Sequence, residues 1–497
     1  MTKTFQNFIA GAWCAPASGA HFENRNPADT RDLIGRFPLS TAADVDRAVA
    51  SATRGFELWR RTPAPARGDV LRRIGDLLVK RKEEIADLMT REMGKPLTET
   101  RGDVQEGIDT AYYAATIGRQ LAGRTVPSEM PNKWAMSFRR PIGVAGIVTP
   151  FNFPLAIPTW KMFPALLCGN ACIFKPAEDV PHTGHVFVEI LLEAGLPPEV
   201  IQLVHGQGET AGAAIVNHPL IPVISFTGST DTGRLVGEIC GRMHKRLSLE
   251  MGGKNAMLVF DDADLDLALE GVLWGAFGTT GQRCTATSRL VLQDGIHDEL
   301  LSRLVDRARS LKLGDGRKEG TDVGPLINQG AVEKVQRYVD IGQEEGADLL
   351  CGGRRPTGKG VDNGYFFEPT IFARVRAGMR LEQEEIFGPV LSVVRFRSAD
   401  EAFGINNDVK YGLSSSVYTR DVNIAMRALN ELDTGITYIN APTIGAEAHL
   451  PFGGVKQTGN GHREGGWEVY EFYSETKVCY VDYSGRLQRA QMDTYDV

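Results

Sequence analysis

Gly143-Val-Ala-Gly-Ile-Val-Thr-Pro-Phe-Asn-Phe-Pro154 is a short apolar run that ends abruptly in small, polar and rigid residues. Three further runs of the same texture follow it: Ala171-Cys-Ile-Phe174, Val200-Ile-Gln-Leu-Val204 and Pro222-Val-Ile-Ser-Phe226. The segments between them, such as His182 to Ala194 and Thr210 to Asn217, are patterned at helical spacing. Buried strands alternating with helices predict a parallel sheet with crossover helices, an α/β doubly wound architecture.

Upstream, from Ala42 to about Gly123, apolar residues recur every three or four positions, as in Val70, Ile74, Leu77, Leu78, Ile85, Leu88 and Met89, which predicts a helical opening region. Downstream, a second alternation begins at Asn255-Ala-Met-Leu-Val-Phe260, passes through a helix over Asp264 to Gly278 and runs to about Leu413. Two α/β domains therefore share the chain. Ile436–Asn440 and Lys477–Val481 have the texture of late strands, and the charged segment 123–141 interrupts the first domain like a protruding arm. Pro141 to Trp160 carries no charge and imitates a membrane span, but Pro150, Pro154 and Pro158 would break a spanning helix. The stretch reads instead as a buried strand entering an irregular loop, and such a loop is costly to bury without a purpose.

The 497 residues are 42% hydrophobic and 24% charged, which suits a soluble globular chain of two or three domains and excludes disorder, collagen and small disulfide scaffolds. Fifty-five basic residues against 62 acidic ones give a net charge of −7, without the basic excess that nucleic acid demands. Small molecules are the expected partners, with neither nucleic acid nor membrane. Cys14, Cys168, Cys172, Cys240, Cys284, Cys351 and Cys479 lack metal-ligand spacing, so no metal is expected. Sparse cysteines and a start without a basic-then-apolar leader predict a reduced, cytoplasmic protein.

Five segments carry types suited to chemistry. In Gly281-Gln-Arg-Cys-Thr285 a loop thiol sits beside glycine after an apolar helix, where backbone N–H groups can favour a thiolate. In Leu249-Glu-Met-Gly-Gly-Lys-Asn255 a lone carboxylate ends a strand, and a half-desolvated Glu250 would have the raised pKa of a general base. In Thr149-Pro-Phe-Asn-Phe-Pro154 prolines would fix the Asn152 amide as an oxyanion donor must be fixed. Taken singly, each has an ordinary alternative: an incidental cysteine, a solvated Glu, an Asn capping a turn. Phe226-Thr-Gly-Ser-Thr-Asp-Thr-Gly233 offers Ser229, Thr230 and a helix N-terminus to a diphosphate, and Ile173-Phe-Lys-Pro-Ala-Glu178 places Lys175 and Glu178 where they could grip a ribose edge. Gly206-x-Gly208 falls short of the usual dinucleotide fingerprint, so any such site is unorthodox.

Together with Glu384-Glu-Ile-Phe-Gly-Pro389 and Pro451-Phe-Gly-Gly454, these motifs stand in an order and spacing that resembles the NAD(P)-dependent aldehyde dehydrogenase superfamily across essentially the whole chain. The resemblance implies a Rossmann-like NAD-binding domain over 1–122 and 142–252 and a catalytic domain over 253–449. It also implies a return segment over 450–469 and a β oligomerisation arm over 123–141 and 470–497, hence a homodimer or homotetramer. By the same resemblance Cys284 is the nucleophile, Glu250 the base that activates water, and Asn152 with the Cys284 N–H the oxyanion hole. Lys175 and Glu178 would hold the adenosine ribose, Ser229 the pyrophosphate and Glu385 the nicotinamide ribose beside Phe387. Thr149, Pro150, Phe151, Gly208, Phe226 and Gly228 complete the expected cofactor site. Phe153, Trp160, Arg283 and Thr285 are the expected substrate-pocket residues; Trp160 and Lys161 match positions near the site, and Trp160 reads equally well as core. Arg463 and Glu475 match positions that form an ion pair close to the interface.

A carboxylate at Glu178 would repel a 2′-phosphate, which favours NAD over NADP. Glu250 argues for hydrolysis of the thioester over transfer to coenzyme A. The segment from Ile439 to Glu464 resembles bacterial members acting on 2-oxoglutarate semialdehyde (2,5-dioxopentanoate), and more loosely aminoadipate semialdehyde enzymes, with His462 as a departure. Arg283, beside the nucleophile, is the candidate to receive a substrate carboxylate. Two other classes stay open on residues alone: a non-catalytic structural protein of the same fold, and a thiol hydrolase using Cys284 without a cofactor.

Overall fold

The computed structural model describes residues 3–493. Its first sheet has seven strands in the order Arg246–Glu250, Val223–Thr227, Val144–Val148, Ala171–Lys175, Ile201–Leu203, Asn7–Ile9, Ala12–Cys14. The first five are parallel. In chain order they read 5-4-1-2-3, the doubly wound arrangement that the alternating runs predict. The two antiparallel edge strands come from residues 7–14, and His21–Arg25 pairs with Leu33–Pro38 as a hairpin. No sequence pattern announces the two edge strands, because three-residue strands are too short to show a period.

Helices Ala42–Trp59, Ala64–Lys80, Lys82–Met93 and Leu97–Ile117 form the expected helical opening. Thr41 and Asp44 close the first with a capping box, each side chain bonding the other residue's backbone N–H. The apolar stripes of these helices pack on the first sheet in one core with Val45, Leu71, Ile74, Met89 and Ile108. Val469, Tyr470, Phe472 and Tyr473 belong to the same core. The arm strand therefore starts at Ser474, not at 470, because these side chains are buried against the first domain.

The second sheet runs Asp348–Cys351, Thr370–Ala373, Val390–Phe396, Thr287–Gln293, Asn255–Val259, Ser414–Tyr418, Ile436–Ile439, parallel except for its first edge strand. The helix expected over Asp264 to Gly278 spans Leu265–Phe277, with the Asp264 carboxylate accepting from the N–H groups of Asp266 and Leu267. A separate three-stranded sheet joins Thr125–Pro127, Lys133–Pro141 and Ser474–Asp482. The last two pair antiparallel over nine positions, from Ser474 opposite Pro141 to Asp482 opposite Lys133. Residues 494–497 of the expected arm lie outside the described residues.

Pro141–Trp160 is the strand Val144–Val148, a loop, and the start of helix Ala156–Cys168. Pro158 does not break that helix. It occupies the first turn, where its missing N–H has no intrahelical partner to lose. Among the described residues no helix is long and apolar enough to cross a membrane.

Candidate active site

The topological switch point of the first sheet lies between Val144–Val148 and Val223–Thr227. Where a doubly wound sheet reverses direction, a crevice opens at the carboxyl ends of the strands. The loop Thr149–Pro154 and the turn Phe226–Ser229 both leave from those ends.

A cavity of about 260 Å³ lies close by, lined by residues of both halves of the chain: Phe153, Trp160, Glu250, Arg283, Cys284 and Phe452 among them. Thr285 also lines it. Cys284 packs with Trp160, Leu413 and Phe452. The amide of Asn255 donates to the Cys284 carbonyl at 2.7 Å and to that of Ala286 at 2.9 Å, fixing the backbone on both sides of the thiol. Burial, reinforced by the negative charges of Glu250 and Glu385, pushes the Cys284 thiol up to about 12. The loop thus holds a neutral thiol that needs a proton acceptor, where its sequence suggests a ready thiolate.

Glu250 ends the strand Arg246–Glu250 and is 4% exposed, so it is buried outright and not half-desolvated as its strand-end position suggests. Neither carboxylate oxygen has a hydrogen-bond partner among the described residues. Burial, and then the neighbouring Glu464, raise its pKa well above the ordinary carboxylate range, against the opposing pull of Lys161 and Arg463. Gly453 leaves room for it, since a Cβ there would stand 2.6 Å from Glu250 Oε1. Lys161 is fully buried, pairs with Glu464 and donates to Ser225 Oγ at 3.0 Å. Glu464 is a site residue that sequence reasoning misses, because nothing in its local sequence marks it as buried.

Asn152 is buried, and its carbonyl accepts from Lys95 Nζ at 3.0 Å. Phe153 lies between two cations, Lys95 Nζ 4.1 Å and Arg283 Cζ 5.4 Å from its ring centre. Arg283 is not a free cation. Its Nη2 meets Glu99 Oε2 at 2.6 Å, and its guanidinium lies over Trp274. Glu106 lines the same cavity with Oε1 unpartnered among the described residues, and burial lifts its carboxyl to about 8.

A groove for a nucleotide can be built from the remaining expected residues. Lys175 Nζ pairs with Glu178 Oε2 at 2.9 Å, with the lysine buried and the glutamate 41% exposed. Burial pulls the Glu178 carboxyl upward, but Lys175 and the Gly208 N–H outweigh it and hold it below the ordinary range. A Cβ on Gly208 would meet nothing within 4 Å, so the groove is open there. Thr149 donates its N–H to the Lys175 carbonyl at 3.3 Å. Gly228 lies against the Phe226 ring, where a Cβ would come within 2.5 Å, and Ser229 caps helix Thr230–Arg242. Glu385 Oε1 accepts from the Gly253 N–H at 3.0 Å, and a Cβ on Gly252 would come within 2.3 Å of its carboxylate. Phe387 holds a left-handed φ of 61° with its ring edge-on to Phe151 at 5.8 Å. Pro150 is half-buried at the start of the loop that carries Phe151.

The aldehyde dehydrogenase family model matches residues 13–479. The chain belongs to the aldehyde dehydrogenase family. It is 40% identical over 479 residues to the alpha-ketoglutaric semialdehyde dehydrogenase of Bacillus subtilis, covering 96% of this chain and 98% of that one. It is 39% identical over 481 residues to the 2,5-dioxopentanoate dehydrogenase of Saccharolobus solfataricus, covering 96% and 99%. Among solved structures, betaine aldehyde dehydrogenase from Staphylococcus aureus in complex with NAD+ superposes with a TM-score of 0.95 at 34% identity, covering 97% and 95%. The protein is an aldehyde dehydrogenase, and the semialdehyde members singled out by the Ile439–Glu464 segment are among its relatives.

Arg463 and Glu475, expected as an interface ion pair, do not meet. Arg463 Nη1 donates to the Gly454 carbonyl at 2.8 Å, which keeps the guanidinium beside the active-site glycines, and Glu475 is exposed on the arm.

Proposed function

We propose that this enzyme oxidises a semialdehyde to the carboxylate with NAD, using Cys284 as nucleophile, Asn152 as oxyanion donor and Glu250 as the base for hydrolysis. The observation that carries the reading is the pairing of a half-buried loop thiol with a buried, unpartnered carboxylate on one cavity. A carboxylate whose pKa lies above the ordinary range is the better proton acceptor for a water.

The residues present fit NAD. Lys175 and the Glu178 carboxylate would hold the adenosine ribose, and Glu178 would repel a 2′-phosphate, which favours NAD over NADP. Ser229 and the helix N-terminus it caps would face the pyrophosphate, with Gly228 making room for the Phe226 ring beside them. Glu385, fixed by the Gly253 N–H, would hold the nicotinamide ribose beside Phe387. When bound, NAD supplies the acceptor for the hydrogen and two electrons that leave the aldehyde carbon.

The Cys284 thiol gives up its proton to water as sulfur bonds to the aldehyde carbon, forming a thiohemiacetal on Cys284. The Asn152 amide and the Cys284 N–H take the negative charge that develops on the carbonyl oxygen. Oxidation leaves a thioester. Glu250 accepts a proton from water as the water oxygen bonds to the acyl carbon, the C–S bond breaks, and the carboxylate departs with Cys284 restored. The substrate reading rests on the relatives named for alpha-ketoglutaric semialdehyde and 2,5-dioxopentanoate; an aminoadipate semialdehyde is the second candidate.

The division into an NAD-binding domain over 1–122 and 142–252, a catalytic domain over 253–449 and an arm belongs to the same proposal, as do the homodimer or homotetramer and the cytoplasmic setting. NADH formation followed at 340 nm across a panel of semialdehydes, simple aliphatic aldehydes and betaine aldehyde tests the reading. Absence of NAD-dependent oxidation across the panel would favour the non-catalytic alternative, and cofactor-independent ester hydrolysis alone would favour the thiol hydrolase.

A further inference from the structure

Helix Leu97–Ile117 presents two buried carboxylates four residues apart, Glu99 and Asp103, on the face that lines the cavity. Glu99 gathers three donors from the loop leading to Cys284: the Thr279 N–H at 3.0 Å, the Thr279 hydroxyl, and Arg283 Nη2 at 2.6 Å. Arg283 Nε closes the set by donating to Thr279 Oγ1 at 2.8 Å. This loop carries backbone strain. Thr279 and Thr280 both hold left-handed φ values, 51° and 58°, which a β-branched residue keeps only when its surroundings enforce them.

Asp103 holds the other loop. Its Oδ2 accepts from Lys95 Nζ at 2.7 Å, the same ammonium that bonds the Asn152 carbonyl, and its Oδ1 accepts the Ala156 N–H at 2.7 Å. Phe153 sits against both Lys95 and Arg283, joining the two arrangements. We infer that helix Leu97–Ile117 is the frame that sets Cys284 against Asn152, with Glu99 the positioning residue that holds the nucleophile loop in its strained form. Glu99 acts through Thr279 and Arg283, not through either reacting group. The inference rests on the proposed roles of Cys284 and Asn152.

The test compares Glu99→Gln and Thr279→Val with the unaltered enzyme. The first loses a charge-assisted acceptor; the second loses one hydroxyl at nearly constant shape. Both are expected to lower kcat, by about 10- to 100-fold for Glu99→Gln and about 3- to 10-fold for Thr279→Val, with KM for NAD within about twofold. Loosening the loop exposes Cys284, so alkylation by iodoacetamide at pH 8 should become several-fold faster while turnover falls. Adding Thr280→Gly to Glu99→Gln should recover part of kcat, because glycine takes the left-handed conformation without penalty. Should Glu99→Gln fail to fold, Thr279→Val decides the matter by the same readouts. Wild-type kcat and alkylation rate in the variants would overturn the inference alone, whereas turnover surviving in Cys284→Ser would overturn the reading on which it rests.

Discussion

Cys284 and Glu250 are each unfavourable as charged groups where they stand, and that shared property divides their roles. Cys284→Ser is expected to abolish oxidation, because a hydroxyl is a far weaker nucleophile than the thiolate formed in the reaction; NAD binding, followed by fluorescence titration, should persist. Glu250→Gln should acylate and then stall, giving a burst of about one NADH per active site in stopped flow. The sign of its pH dependence follows from the raised pKa: the base form of Glu250 exists only above that pKa, so kcat should climb with pH beyond the ordinary carboxylate range. A flat kcat profile would remove Glu250 from hydrolysis, whereas a Glu250→Gln variant that shows neither burst nor acyl-enzyme would place Glu250 in the first step. Glu178→Gln should raise the NADP/NAD ratio of kcat/KM by about 10- to 100-fold, the equivalent of roughly 1–3 kcal/mol of relieved repulsion. A fixed ratio would mean that the carboxylate does not face the ribose.

At the scale of elements, the strand ends were legible and the helix faces were not. Period and texture locate Val144–Val148 and its costly loop, but the carboxylates at 99, 103 and 106 read as an ordinary charged helix surface until another element is packed on them. A second group of buried polar side chains lies at the edge of the first sheet. His182, His185 and His205 gather around Phe5, Phe37 and Trp13, and both ring nitrogens of His205 lack partners among the described residues. Burial lowers the His182 pKa to about 4 and that of His205 well below its ordinary value. The folded state therefore binds these protons less readily than the unfolded chain. Their contribution to stability is present above about pH 6.5, the value of the unfolded imidazole, and is lost as pH falls toward 4. Tm should drop by several degrees across that window, and His205→Leu should flatten the fall; an unchanged slope in the variant would place the acid sensitivity elsewhere.

At the scale of the molecule, the sheet of Lys133–Pro141 and Ser474–Asp482 exposes Trp134, Phe138, Val478, Tyr480 and Val481. A small sheet with that much bare apolar surface is marginal in water without a partner. Deleting residues from 477 onward is expected to abolish assembly and most activity, and sedimentation of the full chain as a monomer at micromolar concentration would refute this. The sequence by itself determined the alternation of strands and helices, the order of the motifs and the choice of Cys284, Glu250 and Asn152 as candidates, because these depend on local period and on residue type. Tertiary structure alone decided that Glu250 is fully buried beside Glu464, that Arg283 is taken by Glu99, and that Arg463 serves Gly454 instead of Glu475. Most of those outcomes join residues far apart in the chain, and the burial and partners that set a charge are created only when distant segments pack together.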